Sequence, residues 1–340
     1  MSNVWIGTSG WVYKQWAGNF YPKDWPRKNE LGFYVTQFPT VEINATFYRL
    51  PTVKTVHSWH DKTPEGFVFA VKGSRYLTHI KRLEDTSSGL RKYFRRLVSL
   101  AERTGPILWQ LPPTFPKTDE TLKRLDRFLS RLPKRYQHAV EFRHPTWINE
   151  ETFSVLRRHG AANVWLSSLR MPADHTVTAG FVYLRFHGLE GGPYHDYTSA
   201  ELDPWAKELA KVARKGVPAY VYFNNDLNTR APLNAQVLMQ KLGPLAVPPK
   251  SRPESTETSA AGLPRGRHIE PIEVATSHRA ARRTIPPRPR AARSIAMPRA
   301  KSPRGTATYA AATAPAAAAP ARTSPKRARP PFASARPPAR

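Results

Sequence analysis

Alternation of apolar and polar side chains runs through the first 247 residues, and it is strictest within Ala139-Val140-Glu141-Phe142-Arg143-His144-Pro145-Thr146-Trp147. Val140 and Phe142 fall on one face of a strand, and Glu141 and Arg143 on the other. The run ends at Pro145 and leads into a helical segment, so strand followed by helix is predicted. Eight short strands follow this logic: Val4 to Ser9, Thr40 to Asn44, Phe67 to Lys72, Ile107 to Leu111, His138 to Arg143, Asn163 to Ser167, Phe181 to His187 and Pro218 to Asn224. Helix candidates lie between them at Lys28 to Phe38, Val53 to His60, Ser87 to Arg103, Asp119 to Leu132, Trp147 to His159, Ala200 to Lys215 and Asn234 to Leu242. The connection between the sixth and seventh strands, containing Met171-Pro172, carries no helical pattern. Alternating strands and helices imply a parallel sheet covered by helices. Eight repeats in about 240 residues fit a closed (β/α)8 TIM-type barrel better than an open doubly wound sheet.

Parity then sorts the strand residues. In a closed parallel barrel one strand face meets the helices and the other fills the interior. With the apolar face placed under the helices, Val41, Ile43, Phe69, Val71, Trp109, Leu111, Val182, Leu184, Phe186, Val221 and Phe223 point outward. The opposite parity carries Glu42, Asn44, Lys72, Gln110, Glu141, Arg143, Arg185, His187 and Asn224 to the carboxyl ends of the strands, with Asp226 just beyond. Barrel enzymes assemble their active sites at that end. Burying so many polar groups is costly unless each is paired or meets a ligand. A self-satisfying salt-bridge network is one reading of the ring; a substrate site is the other, and the convergence of so many strands favours it.

Composition changes the picture at one place. From about Val247-Pro248 the chain becomes rich in Pro, Ala and Arg, with Tyr309 and Phe332 its only aromatic residues. Such a segment buries too little apolar surface to offset its ordering entropy, so residues 248–340 are predicted to be a disordered basic tail after a barrel domain at 1–247. The tail holds 19 Lys and Arg against 4 acids, out of a formal net charge of +28 for the chain. An anionic partner is the natural inference. Stretches such as Pro298-Arg299-Ala300-Lys301-Ser302-Pro303-Arg304 look like basic arms that add non-specific affinity for nucleic acid. The absence of cysteine removes disulfides and thiolate chemistry and suits a reducing, cytoplasmic setting. Neither a signal peptide nor a membrane span is expected.

The ring limits the chemistry. Glu42 and Glu141 could act as general acid and base, with His187 moving a proton. Lys72, Arg143 and Arg185 could hold a phosphate or carboxylate, with Asn44, Gln110, Asn224, Tyr13 and His79 as further substrate contacts. A divalent metal fits poorly, because each of the three cations about 6 Å away contributes roughly 3 kcal/mol per unit charge on the ion at an effective dielectric near 20. No metal and no cofactor is predicted. Gly7-Thr8-Ser9-Gly10-Trp11 has neither the G-x-G-x-x-G spacing of a dinucleotide site nor the G-x-S-x-G of a nucleophile elbow. His144 has the wrong parity for the interior and is expected to cap the next turn. Aromatic residues crowd the loops, among them Trp11, Trp16, Phe20, Tyr21 and Trp25 after the first strand, either to stack a sugar or base or to form small cores beneath the loops.

Several stretches share a pattern: Ile6-Gly7-Thr8-Ser9-Gly10-Trp11, Phe20-Tyr21-Pro22, Val41-Glu42-Ile43-Asn44 with Thr46-Phe47-Tyr48-Arg49-Leu50-Pro51, and Phe69-Ala70-Val71-Lys72 with Thr78-His79. It continues in Leu108-Trp109-Gln110-Leu111-Pro112-Pro113, Val140-Glu141-Phe142-Arg143-His144, Tyr183-Leu184-Arg185-Phe186-His187-Gly188 and Tyr222-Phe223-Asn224-Asn225-Asp226. Together they resemble the YecE-like family, domain of unknown function 72, over residues 3–243. The resemblance implies a TIM-type barrel and supplies no reaction. It also implies an acid after the sixth strand, where this chain has Ser167-Ser168. The leading expectation is an enzyme, a hydrolase or lyase, acting on an anionic phosphate- or sugar-containing substrate by carboxylate acid–base chemistry. The alternatives are a nucleic-acid-binding or repair barrel of endonuclease IV-like architecture, by fold analogy alone, and a non-catalytic scaffold.

Overall fold

The structure is a computed structural model that describes residues 2–250. The basic segment read from the sequence as a tail therefore lies outside the described residues, apart from its first three positions. Eight parallel strands form one sheet: β1 (Val4–Thr8), β2 (Thr40–Ile43), β3 (Val68–Lys72), β4 (Thr104–Gln110), β5 (His138–Glu141), β6 (Ala161–Ser167), β7 (Val182–Phe186) and β8 (Ala219–Phe223). Their order is β1-β8-β7-β6-β5-β4-β3-β2, every neighbouring pair parallel. The helices are α1 (Glu30–Tyr34), α2 (Ala45–Tyr48), α3 (Val53–Asp61), α4 (Ser87–Leu97), α5 (Asp119–Ser130), α6 (Glu150–His159), α7 (Ser199–Arg214) and α8 (Arg230–Leu242). The β6–β7 connection carries no helix, as its sequence predicts. No helix among the described residues is long and apolar enough to cross a membrane.

Local chemistry explains the boundaries. Thr118 accepts from Thr121 N–H to start α5, Thr198 and Glu201 form a reciprocal capping box at α7, and Asn149 caps α6. Helix α6 stops at Gly160, whose φ of 63° is the left-handed conformation that a helix end favours. In α5, Leu122, Leu125, Phe128 and Leu129 lie on one stripe and are buried. Phe128 meets Trp109 of β4 edge-on at 5.0 Å, which fixes the outward parity of Trp109. Inside the barrel Trp5 stacks on Tyr220 at 5.1 Å, and above them Tyr183 and Tyr222 pack at 5.2 Å. The interior is thus filled by side chains, as in other barrels of this size.

Closure happens at the β1–β2 seam, and it is not a regular ladder. The two strands meet through one isolated bridge, Ser9 with Glu42. Below it the phenol of Tyr34, delivered by α1, fills the gap. Tyr34 Oη accepts from Thr8 N–H at 3.0 Å and donates to Thr40 C=O at 3.0 Å, so one hydroxyl substitutes for a missing ladder bond. Gly7 makes room for it: a Cβ there would lie 2.1 Å from Thr40 O and 3.0 Å from Tyr34 Oη. Thr40 Oγ1 in turn meets Tyr222 Oη at 2.8 Å and donates to Val68 C=O at 2.7 Å, tying the seam to the interior.

Removing that hydroxyl by Tyr34→Phe leaves a buried N–H and a buried C=O without partners. A loss of about 1–3 kcal/mol is expected, read by urea denaturation as a lower midpoint at unchanged slope. An unaltered midpoint would show that the seam does not depend on the phenol.

Candidate functional site

The carboxyl ends of the strands converge on one mouth, and a buried guanidinium lies at its centre. Arg185, on the inward parity of β7, is 1% exposed. Its Nη1 donates to Glu141 Oε2 at 2.6 Å and its Nη2 to Glu42 Oε1 at 2.7 Å. Glu42 comes from β2 and Glu141 from β5, so one side chain cross-links three strands. Both carboxylates are fully buried and their remaining oxygens are occupied. Glu42 accepts from Ser9 Oγ and from Tyr183 Oη, each at 2.7 Å. Glu141 Oε1 accepts from Arg143 Nε and lies 3.4 Å from His187 Nε2.

Electrostatics follow from that packing. Burial pushes the Glu42 carboxyl up, but Arg185, Lys72 and the two hydroxyl donors outweigh it and hold it below the ordinary value. Burial likewise opposes ionisation of Glu141, and Arg143, Arg185 and His187 together drive it well below the usual range. His187 is lowered as well, which for an imidazole favours the neutral form: burial and the neighbouring Arg185 depress it to about 4, against the pull of Glu141. The neutral ring receives Arg143 Nη2 at 2.9 Å on Nε2, which leaves the proton on Nδ1. Asn224 Nδ2 lies 3.2 Å from Nδ1 on the other side of the ring.

Lys72 is the exception in this ring. It sits at the end of β3, partly buried, and among the described residues it has neither a hydrogen-bond partner nor a carboxylate within 4.0 Å. Its ammonium lies 4.5 Å above the Phe47 ring, and burial and Arg185 lower its pKa to about 8. The backbone is held in place by Thr46 Oγ1, which donates to Lys72 C=O at 2.6 Å. His79 meets the same Phe47 ring edge-to-face, ring centroids 5.0 Å apart, and is depressed to about 4 by burial and then by Lys72 and Arg75. Asn44 reaches Ser9 C=O at 3.4 Å, and Gln110 is half-buried with no side-chain hydrogen bond among the described residues. Tyr13 donates to Ser9 C=O and faces Asp226, whose carboxyl burial raises.

All eleven residues singled out from the sequence thus lie at this end of the barrel. Three others were not singled out: Ser9, Tyr183 and Phe47. Ser9 and Tyr183 share the inward parity of Gly7 and Arg185, so the alternation that found the ring also pointed to them; Phe47 lies in α2 and no strand pattern reaches it. Of Ser167-Ser168, the pair standing where an acid was expected, Ser167 binds Tyr197 Oη at 2.8 Å on the outer face of β6 and takes no part in the ring. Most of the loop aromatics form a core. Trp16, Phe20, Tyr21 and Trp25 pack with Phe33, Tyr34 and Phe38, while Tyr48 and Tyr194 stay exposed. His144 caps the turn at Pro145–Trp147, accepting from Thr146 N–H.

Two chemical limits emerge. A carboxylate held ionised can accept a proton but has none to give, so neither Glu42 nor Glu141 is poised as the acid member of an acid–base pair. Both are also committed to Arg185, and among the described residues no group of three or more His, Cys, Asp or Glu could hold a metal. Glu42, Glu141 and Asp226 equal Arg143, Arg185 and Lys72 in number, but Lys72 is the one of the three cations with no carboxylate within 4.0 Å among the described residues.

Known proteins show the same architecture. A protein of Bacillus subtilis, UPF0759 protein YunF, is 26% identical over 70% of this chain and 94% of its own length. UPF0759 protein YecE of Escherichia coli is 29% identical over 48% of this chain, and the match spans 59% of YecE. The crystal structure of a DUF72 family protein from Thermotoga maritima superposes with a TM-score of 0.66 at 29% identity, covering 71% of this chain and 99% of that one. One from Enterococcus faecalis, at 18% identity and a TM-score of 0.63 over 70% of this chain and 95% of that one, shares the fold. The family model described as protein of unknown function DUF72 matches residues 5–257, and with the barrel and its mouth in place the chain belongs to that family.

Proposed function

We propose that the barrel mouth is the active site of an enzyme that binds an anionic substrate, one bearing a phosphate or an acidic sugar. The observation that carries this reading is the ammonium of Lys72, with no carboxylate within 4.0 Å, beside Arg143, Arg185, Glu42 and Glu141, which are already paired with one another. A desolvated cation without a counter-ion is costly, and an anion supplied by the substrate would remove the cost. Arg143, half-buried at the rim, and His79, edge-to-face with the Phe47 ring, are the neighbouring basic groups. Asn44, Gln110, Asn224 and Tyr13 offer amide and phenol groups for the rest of the substrate.

Roles within the ring divide by burial. Arg185 is enclosed and saturated on both its Nη atoms, so it fits a framework that fixes Glu42 and Glu141 rather than a hand that closes on substrate. Glu141 and His187 lie closest to the rim cation Arg143 and are the proton acceptors of the arrangement, Glu141 as a carboxylate and His187 as a neutral imidazole. Lys72, with a pKa near neutral pH, can both hold an anion and release a proton. This assigns the donor role to Lys72, where the sequence had suggested a second carboxylate.

Two substitutions separate framework from ligand contact. Lys72→Met removes a cation that has no partner, so stability should hold or rise, while anion binding is lost. Inorganic phosphate at ten times its dissociation constant should add about 1.4 kcal/mol to the native protein and raise its melting temperature by about 3–6 °C. Lys72→Met should abolish that rise in a thermal-shift series; an undiminished response would remove Lys72 from the site.

Arg185→Met leaves buried Glu42 with no cation within 4.0 Å and Glu141 with Arg143 alone, and should cost about 3–5 kcal/mol at neutral pH. The sign with pH is defined. In the native protein both carboxyls titrate below their unfolded value of about 4.3, so their contribution is present above that pH and is lost on acidification. In the variant Glu42 keeps only hydroxyl donors within hydrogen-bond reach and burial lifts it above the unfolded value. Its penalty then grows as pH rises. Urea midpoints at pH 5 and pH 8 should therefore show a larger deficit at pH 8, and equal deficits would contradict the framework role.

A further inference from the structure

Beside the mouth, outside the ring, lies a cleft of about 620 Å³ between the loop after β3, the end of α2 and helix α4. Arg49, Lys92 and Arg96 line it, and no acidic residue does. None of the three has a carboxylate within 4.0 Å among the described residues, whereas cations elsewhere on the helical jacket do: Arg124 with Glu84 and Glu120, Arg157 with Glu150, Lys241 with Asp203. Lys92 and Arg96 stand one turn apart on the same face of α4, a like-charge spacing that destabilises a helix by about 0.2–0.5 kcal/mol. Helix α4 carries four cations and no acid.

The cleft also has a shape and an apolar side. Leu50 and Tyr76 also line it, and Tyr76 is 43% exposed. Its floor is built by close approach: a Cβ on Gly89, in the first turn of α4, would lie 2.7 Å from Leu77 Cδ2. The volume is that of a pocket for a small molecule rather than a track for a polymer.

We infer that this cleft is a second binding site, separate from the mouth, for a small phosphorylated molecule whose phosphoryl group meets Arg49, Lys92 and Arg96 and whose apolar body lies against Leu50 and Tyr76. Three clustered cations more than offset the two charges of a phosphate dianion, and Arg forks bind its oxygens bidentately. Ser88, which also faces the cleft, adds a hydroxyl donor. None of the residues proposed to bind substrate in the mouth is used here, so the two sites stand or fall separately.

The test is competitive acylation of the full chain with an amine-reactive ester, read residue by residue by mass spectrometry. Inorganic pyrophosphate at ten times its dissociation constant leaves about a tenth of the sites open, so labelling of Lys92 should slow about tenfold. Lys72 reports the mouth in the same digest, so protection there or its absence bears on the mouth alone. An Arg49→Gln/Arg96→Gln variant should weaken protection of Lys92 by about tenfold or more in affinity. The control Arg91→Gln/Arg95→Gln, with the same charge change on or near the same helix but outside the cleft, should leave it intact. Absence of protection at Lys92 overturns the inference. So does equal loss in the control, which would mark a diffuse potential, and so does protection by a single-stranded oligonucleotide but not by pyrophosphate.

Discussion

A single guanidinium sets the terms for the upper half of this barrel. Arg185 spans from a β2 carboxylate to a β5 carboxylate, and those strands reach it from different sides of the cylinder. Each partner justifies the burial of the others. Glu42 depends on it to remain ionised in a dry interior, Glu141 shares it with Arg143, and Arg185 could not be enclosed without the two carboxylates. Arg143 and His187 are then placed on the outer side of Glu141, and Ser9 and Tyr183 around Glu42, so the second layer of polar groups inherits its geometry from the first. The mouth is rigid at its floor because its charges are used against one another.

That saturation also decides what is left for a ligand. A site in which every cation was matched would be a structural network, the outcome that the sequence alone left open. Lys72 breaks the match. Its carbonyl is gripped by Thr46 and its ammonium rests on an aromatic face, so the backbone is fixed while the charge is left facing the mouth. The proposed anion-binding role rests on the contrast between an interlocked floor and one cation with no carboxylate within 4.0 Å.

Much of this was legible in the sequence, and the reason is periodicity. Two-residue alternation identified all eight strands, and the parity that hides Val41 and Ile43 under helices necessarily turns Glu42 inward. The same rule carried Lys72, Glu141, Arg185 and His187 to one end. What parity does not contain is pairing. It could not say that Glu42 and Glu141 share one Arg and are both held ionised, and so it allowed them complementary acid and base roles that their environments do not support. Nor could it separate the loop aromatics: Trp16, Phe20 and Tyr21 become a core only because α1 brings Phe33 and Tyr34 beneath them. Closure was least visible of all, since the β1–β2 seam depends on a tyrosine in a helix and a glycine in a strand, 27 positions apart. The charged cleft beside α4 was missed for a related reason, as its walls come from three segments that no single pattern joins.

The seam has a mechanical consequence. Seven of the eight strand boundaries are zipped by backbone ladders, and the eighth is fastened mainly by a side chain and the contact between Ser9 and Glu42. Of all the ways this cylinder could unroll, parting there breaks the fewest main-chain bonds. The same parting pulls Ser9 from Glu42 and loosens the innermost anion of the mouth. The hoop's clasp and the chamber's electrostatics are therefore one joint, and a slackening of either is felt at once by the other.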